Sequence, residues 1–154
     1  MITNNSVQGA IQDPIRPNLT DYLFRVSLKA VILNEKNQVL VVKERGRDWW
    51  GIPGGGIDHG ESIKEGLARE LKEEVSLEGD FQFEPILVED ASFLERANLY
   101  QMKIIFLVIP KNLTFKPGDD GDEAIFINPL DFKDSEIITE RKIYEYVQLA
   151  KKRQ

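Results

Sequence analysis

The sequence predicts an α/β domain in which a mixed β-sheet lies between helices. Apolar and β-branched runs recur along the chain, a segment with helical apolar periodicity follows a glycine-rich stretch, and a second amphipathic segment comes near the end. This order of elements is typical of a sheet covered by helices on opposite sides.

The strands are predicted from β-forming residues bounded by turn residues. Residues 22–33 and 39–43 are separated by the turn-forming residues 35–38, which together indicate a hairpin. Further strands are predicted at 81–88, 99–110 and 124–128, the first interrupted at Glu84-Pro85 and the last ended by Pro129. Because 104–109 are apolar throughout, this strand is expected to be buried on both faces.

Two helices are predicted from residues that recur at helical spacing. Ser62 and Glu65 form a capping-box pattern at the start of a helix over 62–75. Its apolar face consists of Ile63, Leu67, Leu71 and Val75. A final helix is predicted over 135–152, with a buried face made of Ile138, Ile143, Tyr146, Val147 and Ala150.

Composition limits the classes of function. The 154 residues fit one domain with a core, and the net charge of −6 argues against broad binding to nucleic-acid backbones. The absence of cysteine excludes disulfides and Cys-type zinc sites, and a single histidine, His59, excludes a multi-histidine metal site. No secretory signal or membrane-spanning run is evident, so a cytoplasmic protein is expected.

The first helix is expected to present three carboxylates beside a glycine-rich loop. At roughly 100° per residue, Glu70, Glu73 and Glu74 occupy one arc that flanks the apolar face. Carboxylate oxygens are ligands for hard divalent cations. An acidic arc of this kind is more often a solvated helix face, and the fixed spacing to Gly54–Gly56 favours a metal site here.

That spacing resembles the Nudix box of the Nudix hydrolase family. The pattern runs from Gly55 to Leu77 and is matched at eight of nine specified positions, which are Gly55, Glu61, Arg69, Glu70, Leu71, Glu73, Glu74 and Leu77. Ser76 stands where the family has glycine, at a position where the left-handed conformation often ends a helix. The resemblance implies a Nudix-like α/β/α sandwich with a mixed sheet over 21–154, preceded by a tail or packing arm over 1–20.

The function implied by the resemblance is metal-dependent hydrolysis of a pyrophosphate bond in a nucleoside diphosphate derivative, such as a nucleoside triphosphate or a nucleotide sugar. Mg²⁺ or Mn²⁺ is expected at Glu70, Glu73, Glu74 and Gly55. Arg69 is expected to hold the carboxylates in position, and Glu61 to bind metal indirectly or to anchor the loop. Two alternatives stay open: a catalytically silent Nudix domain that senses a nucleotide or binds a protein, and an acidic structural domain with incidental metal binding.

Other candidate site residues flank the box. Gly54 and Gly56 allow close approach of a phosphate, Arg47 is a candidate phosphate ligand, and Trp50 is a candidate stacking residue, although a surface arginine and a core aromatic are the commoner roles. A further ligand or base is expected from the acidic segment 119–123. The first candidate is Glu123, followed by Asp120 and Asp122. The simpler interpretation of this segment is an ordinary surface turn.

The expected partner is a small-molecule nucleotide, with no membrane partner, and the sequence leaves a homodimer open. Short signatures after the box distinguish several substrate classes in this family, and residues 79–93 match none of them cleanly. The sequence therefore leaves the particular nucleoside diphosphate derivative undetermined.

Overall fold

The computed structural model describes residues 9–154, and its elements form the predicted α/β architecture with a mixed sheet. The elements are, in chain order, β1 (Ala10–Gln12), β2 (Thr20–Tyr22), β3 (Phe24–Val31), β4 (Val39–Glu44), α1 (Ile63–Val75), β5 (Phe81–Val88), β6 (Ser92–Leu94), β7 (Leu99–Pro110), β8 (Gly121–Ile127) and α2 (Ile138–Lys151). Short 3₁₀ turns lie at Glu95–Ala97 and Pro129–Phe132. No helix within residues 9–154 is long and apolar enough to cross a membrane.

The long strand β7 is the centre of the main sheet. It pairs in parallel with β3 and antiparallel with β5 and β6. A second pair, β4 with β8, is antiparallel, and β1 with β2 forms a separate antiparallel pair. The sheet is mixed because β7 runs parallel to β3, from which β4, α1 and β5 separate it in the chain, and antiparallel to β5 and β6.

The predicted hairpin between β3 and β4 is correct at its turn and wrong beyond it. Asn37 has a φ of 58°, and the two segments are joined by a single bridge between Leu33 and Val39. The amide of Leu40 also donates to the carbonyl of Ile32 at 2.9 Å. The strands then separate, because β3 pairs along its length with β7 and β4 pairs with β8.

Two apolar clusters lie on opposite faces of the strands. The cluster under α1 includes Leu28, Ala30, Ile32, Leu67, Leu71, Val75, Phe106 and Val108. The cluster under α2 includes Val31, Val39, Val41, Ile105, Leu107, Ile143, Tyr146, Val147 and Ala150. Alternate residues of β7 therefore pack against different helices, which explains the continuous apolar run that the sequence shows there.

The ends of α1 agree with the sequence. Ser62 accepts from the amide of Glu65, and the Glu65 carboxylate accepts from the amide of Ser62, so the predicted capping box is confirmed. Ser76 has φ 54° and ψ 28°, the left-handed conformation in which glycine is the commonest residue at the end of a helix.

The end of the chain differs in detail from the prediction. Helix α2 begins at Ile138 rather than at residue 135, and the expected burial of Ile138 is wrong because its side chain is 64% exposed. The remaining four residues of the predicted face are buried. Strand β8 begins at Gly121 rather than at residue 124, so part of the acidic segment belongs to a strand.

The predicted arm over 1–20 is described in part, since residues 1–8 lie outside the described range. Strands β1 and β2 are exposed along their length, and the amide of Leu23 donates to the carbonyl of Gly9 at 2.6 Å. The boundary between an arm and a domain near residue 20 stays a prediction.

Candidate active site

The glycine segment is fixed along the edge of β3 that β7 does not occupy. The amide of Leu28 donates to the carbonyl of Gly55 at 2.8 Å, and Ser27 bridges Gly56. Gly54 has a φ of 125°, and a Cβ there would lie 2.1 Å from the carbonyl oxygen of Leu28. Glycine is therefore required at residue 54, because any side chain would collide with the backbone of the strand.

Glu74 is the buried carboxylate of the site. It is 6% exposed, and its Oε2 accepts the amide hydrogen of Gly54 at 2.7 Å. Burial is the main cause that raises the pKa of Glu74 to about 7, and the charges of Glu44 and Glu70 add to it. Lys29 and the Gly54 amide act in the opposite direction. A carboxylate is thus held in a place where its own negative charge is costly.

Glu70 lies directly against the glycine segment, one helical turn before Glu74. A Cβ at Gly55 would lie 2.5 Å from Oε2 of Glu70, so the missing side chain leaves room for this carboxylate. The carbonyl of Gly55 accepts from Leu28. The Gly55 carbonyl oxygen, at the residue expected to bind metal, therefore already accepts one hydrogen bond within the fold.

Arg69 joins the carboxylates of the loop and the helix. It donates to both oxygens of Glu61 at 2.7 and 3.0 Å, to Glu70 at 2.8 Å, and to the carbonyl of Gly56 at 2.8 Å. These hydrogen bonds raise the pKa of Arg69, and the bond to Glu61 is the largest cause that lowers the pKa of Glu61 to about 2. Glu61 also accepts from the amide of Asp58, so it anchors the loop.

Glu73 does not share the cleft with its two neighbours on the stripe. Its side chain is 41% exposed and lies 3.3 Å from Nη1 of Arg69. Glu70 and Glu74 line the cleft. Within residues 9–154 no three His, Asp or Glu side chains already stand close enough to form a metal site.

The segment after β7 closes the C-terminal end of α1. The amides of Gly118 and Asp120 donate to the carbonyls of Glu74 and Glu73 at 2.9 and 3.2 Å. A Cβ at Gly118 would lie 2.0 Å from the Glu73 carbonyl oxygen, so this contact depends on glycine. These bonds satisfy helix-end carbonyls and place Asp120 at the edge of the cleft.

The other two candidates in the second acidic cluster do not line the cleft. Glu123 is 53% exposed and lies 3.6 Å from Nζ of Lys43 on the paired strand β4. Asp122 lies 3.8 Å from Nε of Arg45. Of the three acids predicted here, the structure brings Asp120 to the cleft and leaves Glu123 and Asp122 in surface ion pairs.

The cleft beside the box has a volume of about 660 Å³. Its lining includes Glu44, Glu70, Glu74 and Asp120 together with seven cationic residues, which are Arg25, Lys29, Arg45, Arg47, Arg96, Lys103 and Lys142. A chain with a net charge of −6 thus presents an excess of positive charge in its cleft. Such a lining favours an anionic ligand.

The structure separates the two adjacent tryptophans. Trp49 lines the cleft, where the guanidinium of Arg47 lies 5.5 Å from its ring centroid. Trp50 packs against the α2 cluster, and its amide donates to Glu140 at 3.1 Å. Arg47, the predicted phosphate ligand, thus lines the cleft, and the aromatic residue beside it is Trp49 rather than Trp50.

Several lining residues were not predicted as site residues. Glu44 is directed to the cleft at a register shift in the β4–β8 ladder, and Lys29 donates to the carbonyl of Gly54. Lys103 and Lys142 come from β7 and α2. The signal that could have found Lys29 and Lys103 is a polar residue at every second position in an otherwise apolar strand.

Comparison with known proteins agrees with this geometry. A family model described as NUDIX domain matches residues 23–147. An RNA pyrophosphohydrolase from Ruthia magnifica is 42% identical over 71 residues, which cover 46% of this chain and 38% of that protein. The 8-oxo-dGDP phosphatase NUDT18 of Mus musculus is 33% identical over 98 residues, which cover 60% of this chain and 28% of that protein. The matched regions thus span well under half of these two curated relatives.

Solved structures share the fold at low sequence identity. The NUDIX domain of Shewanella oneidensis NrtR complexed with ADP ribose has a TM-score of 0.66 at 16% identity, and the match covers 86% of this chain and 90% of that one. The MutT protein from Methanosarcina mazei Go1 has a TM-score of 0.63 at 23% identity, with 84% and 96% covered. The family model spans most of the chain and includes the whole glycine segment and α1, so the chain belongs to the Nudix family.

Proposed function

We propose that the chain hydrolyses a pyrophosphate bond in a nucleoside diphosphate derivative, with Mg²⁺ or Mn²⁺ as cofactor. The observation behind this proposal is the pairing of a buried carboxylate, Glu74, with a glycine segment in a cleft whose lining is rich in Arg and Lys. The carboxylates suit a divalent cation, and the cationic side chains suit the phosphates of a nucleotide.

The donor set at the box fits a hard cation. Glu70 and Glu74 both line the cleft, and Glu44 reaches it from β4. Because the charges of Glu44 and Glu70 raise the pKa of Glu74, a divalent cation among them would relieve their repulsion. A bound Mg²⁺ or Mn²⁺ supplies charge neutralisation of the diphosphate and Lewis-acid activation of the phosphoryl group. Glu73 is better placed to hold Arg69 than to bind metal.

The residues of the chain divide the remaining tasks. Arg69 fixes Glu61, Glu70 and the Gly56 carbonyl relative to one another, which orients the carboxylates for ligation. Lys29, Arg45 and Arg47 lie in the same cleft and are suited to the phosphate oxygens.

We assign the role of general base to Asp120. Asp120 lines the cleft, forms no salt bridge within residues 9–154, and has its backbone fixed by the Glu73 carbonyl. A free carboxylate of this kind is suited to orienting or deprotonating the attacking water. Asp120→Asn should lower kcat by about 100-fold or more with little change in KM. Full kcat in this variant would remove Asp120 from the mechanism.

The function is tested by a substrate panel assayed with Mg²⁺ and with Mn²⁺. The relatives and structural neighbours suggest 5′-triphosphorylated RNA, 8-oxo-dGDP and ADP-ribose as members, to which nucleoside triphosphates and nucleotide sugars are added. We expect turnover of at least one member, lost in excess EDTA and restored by added metal. Binding without turnover across the panel would instead favour a silent Nudix domain that senses a nucleotide.

A further inference from the structure

A cluster of charged residues, most of them from β7 and α2, lies in the same cleft on the far side of β3 from the glycine segment, and the proposed reaction does not use it. Glu89, Lys103, Lys142 and Tyr146 form this distal cluster, with Lys103, Lys142 and Tyr146 lining the cleft. One oxygen of Glu89 accepts from Lys142 at 2.7 Å and from the hydroxyl of Tyr146. The other oxygen lies 4.0 Å from Nζ of Lys103.

Glu89 binds Lys142 by a hydrogen bond and lies within ion-pair distance of Lys103 at the wall of the cleft. Its side chain is largely buried, and burial alone would raise the pKa of Glu89. The hydrogen bonds from Lys142 and Tyr146 outweigh burial, so the pKa of Glu89 lies below its usual value. Glu89 is therefore a fixed anion that restrains Lys142 and attracts Lys103 before any ligand binds, which reduces the entropy lost on binding.

The distal cluster has unbalanced positive charge. Two ammonium groups share one carboxylate, and two further cations of the lining, Arg25 and Arg96, form no salt bridge within residues 9–154. Desolvation is the main cause that lowers the pKa of Lys103. An anion bound here would compensate for both the lost hydration and the excess charge.

The register of the sheet sets the distance from the box. Gly56 bridges Ser27 on one edge of β3, and Ser27 pairs with Lys103 on the other. The backbones of the glycine segment and of Lys103 are therefore two strand spacings apart, a distance of about 10 Å. This backbone separation exceeds the distance between adjacent phosphates of a diphosphate. Because the side chain of Lys103 extends into it, the remaining gap fits a second phosphate one ribose away from the 5′ phosphates.

We propose that Lys103 and Lys142, held by Glu89, form a second anion subsite that binds a phosphate on the 3′ oxygen of the substrate's ribose. The inference rests on the proposed function, because the 5′ phosphates must lie at the box for the 3′ phosphate to reach the distal cluster. The substrate class is then a 5′-diphosphate derivative that also has a 3′ phosphate, as a monoester or as the first phosphodiester of an oligonucleotide.

The test is equilibrium binding in EDTA at low salt, which does not depend on turnover. The ligands are AMP, adenosine 3′,5′-bisphosphate and ATP. ATP is the control for charge, because its total charge is close to that of the bisphosphate but all its phosphates are on the 5′ oxygen. We expect the bisphosphate to bind about tenfold more tightly than AMP, as one charge-assisted hydrogen bond would give, and more tightly than ATP. The dinucleotide pApA distinguishes a 3′ monoester from a 3′ phosphodiester. If pApA binds more tightly than AMP, the subsite also accepts a phosphodiester, and if it does not, the subsite is restricted to the monoester.

Variants assign the gain to the distal cluster. Lys142→Gln should reduce the ratio of bisphosphate to AMP affinity to about twofold, and Lys103→Gln should act in the same direction. Lys151→Gln removes the same charge from an exposed position on α2 outside the cleft and should leave the ratio near tenfold. Melting temperatures check that each variant is folded.

Two results would overturn the subsite. One is a bisphosphate that binds no more tightly than ATP, and the other is an affinity ratio that Lys142→Gln leaves unchanged. A protein that shows the expected ratio but hydrolyses nothing would retain the subsite and lose the proposed hydrolysis. The two failures are therefore distinguishable.

Discussion

The two acidic clusters of this chain have similar compositions and opposite environments. In the box, Glu74 is 6% exposed, accepts a hydrogen bond from the Gly54 amide, and lies beside Glu70 in the cleft. In the second cluster, Glu123 is 53% exposed and pairs with Lys43. Carboxylate density alone therefore does not identify a metal site. What distinguishes the box is a glycine segment that lets backbone approach the carboxylates and exclude water.

The largest expected difference between the clusters is in catalysis. Glu74→Gln should lower kcat/KM by about 100-fold or more in the presence of Mg²⁺, because a buried ligand is lost while the hydrogen bond from Gly54 can be kept. Steady-state kinetics on whichever substrate the panel identifies would measure this. Leu71→Ala, which changes a buried residue of the same helix, is the control: it should lose stability rather than specific activity. Unchanged kcat/KM in Glu74→Gln would make the box carboxylate structural.

The stability of the metal-free protein should depend on the protonation of Glu74. Its folded pKa of about 7 exceeds the usual value of 4.5, so the folded state retains a proton that the unfolded state loses. The free energy of unfolding should therefore fall as pH rises from 4.5 to 7, by about 3 kcal/mol at most from this group. Urea unfolding in EDTA at pH 5 and pH 8 measures the change.

Glu74→Gln isolates this contribution from the other titrating groups. The free energy of unfolding of the variant, taken relative to that of the wild type, should increase as the pH is raised from 5 to 8. Glu61 and Glu89 have lowered pKa values and act in the opposite direction, but they are present in both proteins. A constant difference between variant and wild type across this range would mean that Glu74 is not desolvated.

The contact between the second cluster and the box should depend on Gly118. A Cβ at this residue would lie 2.0 Å from the Glu73 carbonyl oxygen, so Gly118→Ala must displace the segment from the end of α1. We expect a loss of about 1–3 kcal/mol in the free energy of unfolding. Gly51→Ala is the matched control, since a Cβ there has no neighbour within 4 Å. Equal stability of the two variants in chemical denaturation would show that the contact is not close-packed.

The smallest effect is expected at Glu123, the acid that the sequence favoured in the second cluster. Its exposed pairing with Lys43 contributes less than about 1 kcal/mol. Glu123→Gln should therefore change kcat/KM by less than about threefold, whereas Asp120→Asn should have a large effect. A loss of activity in Glu123→Gln as large as that in Asp120→Asn would contradict the placement of these two side chains.

The sequence predicted features that depend on local chemistry. The capping box at Ser62 and Glu65, the apolar face of α1 and the left-handed residue at Ser76 follow from neighbouring residues, and all are present. The five longer strands were also predictable, because apolar residues indicate burial whichever strand lies alongside. The short strands β1, β2 and β6 were not predicted, since their residues are mostly exposed and show no such pattern. The pairing of β3 with β7 was not predictable in this way, since it depends on contacts between residues more than seventy positions apart.

The site was predictable where the box fixes the spacing and unpredictable where distant segments meet. Helical spacing placed Glu70, Glu73 and Glu74 on one arc, but Glu73 does not line the cleft with the other two. The positions of Trp49, Trp50 and Asp120 depend on how a loop turns, and that of Glu123 depends on the register of β8 with β4. Glu44, Lys103 and Lys142 enter the cleft from three different elements, and no local pattern joins them.

We propose above all that Glu74 is a metal ligand because of its environment rather than because of its charge. Calorimetric titration of Mn²⁺ into the metal-free wild type, Glu74→Gln and Glu123→Gln at one pH above 7 tests this most directly. We expect Glu74→Gln to weaken the affinity for Mn²⁺ by about tenfold or more, and Glu123→Gln to leave it within about twofold of the wild type. Equal weakening by both substitutions, or none by Glu74→Gln, would contradict the account.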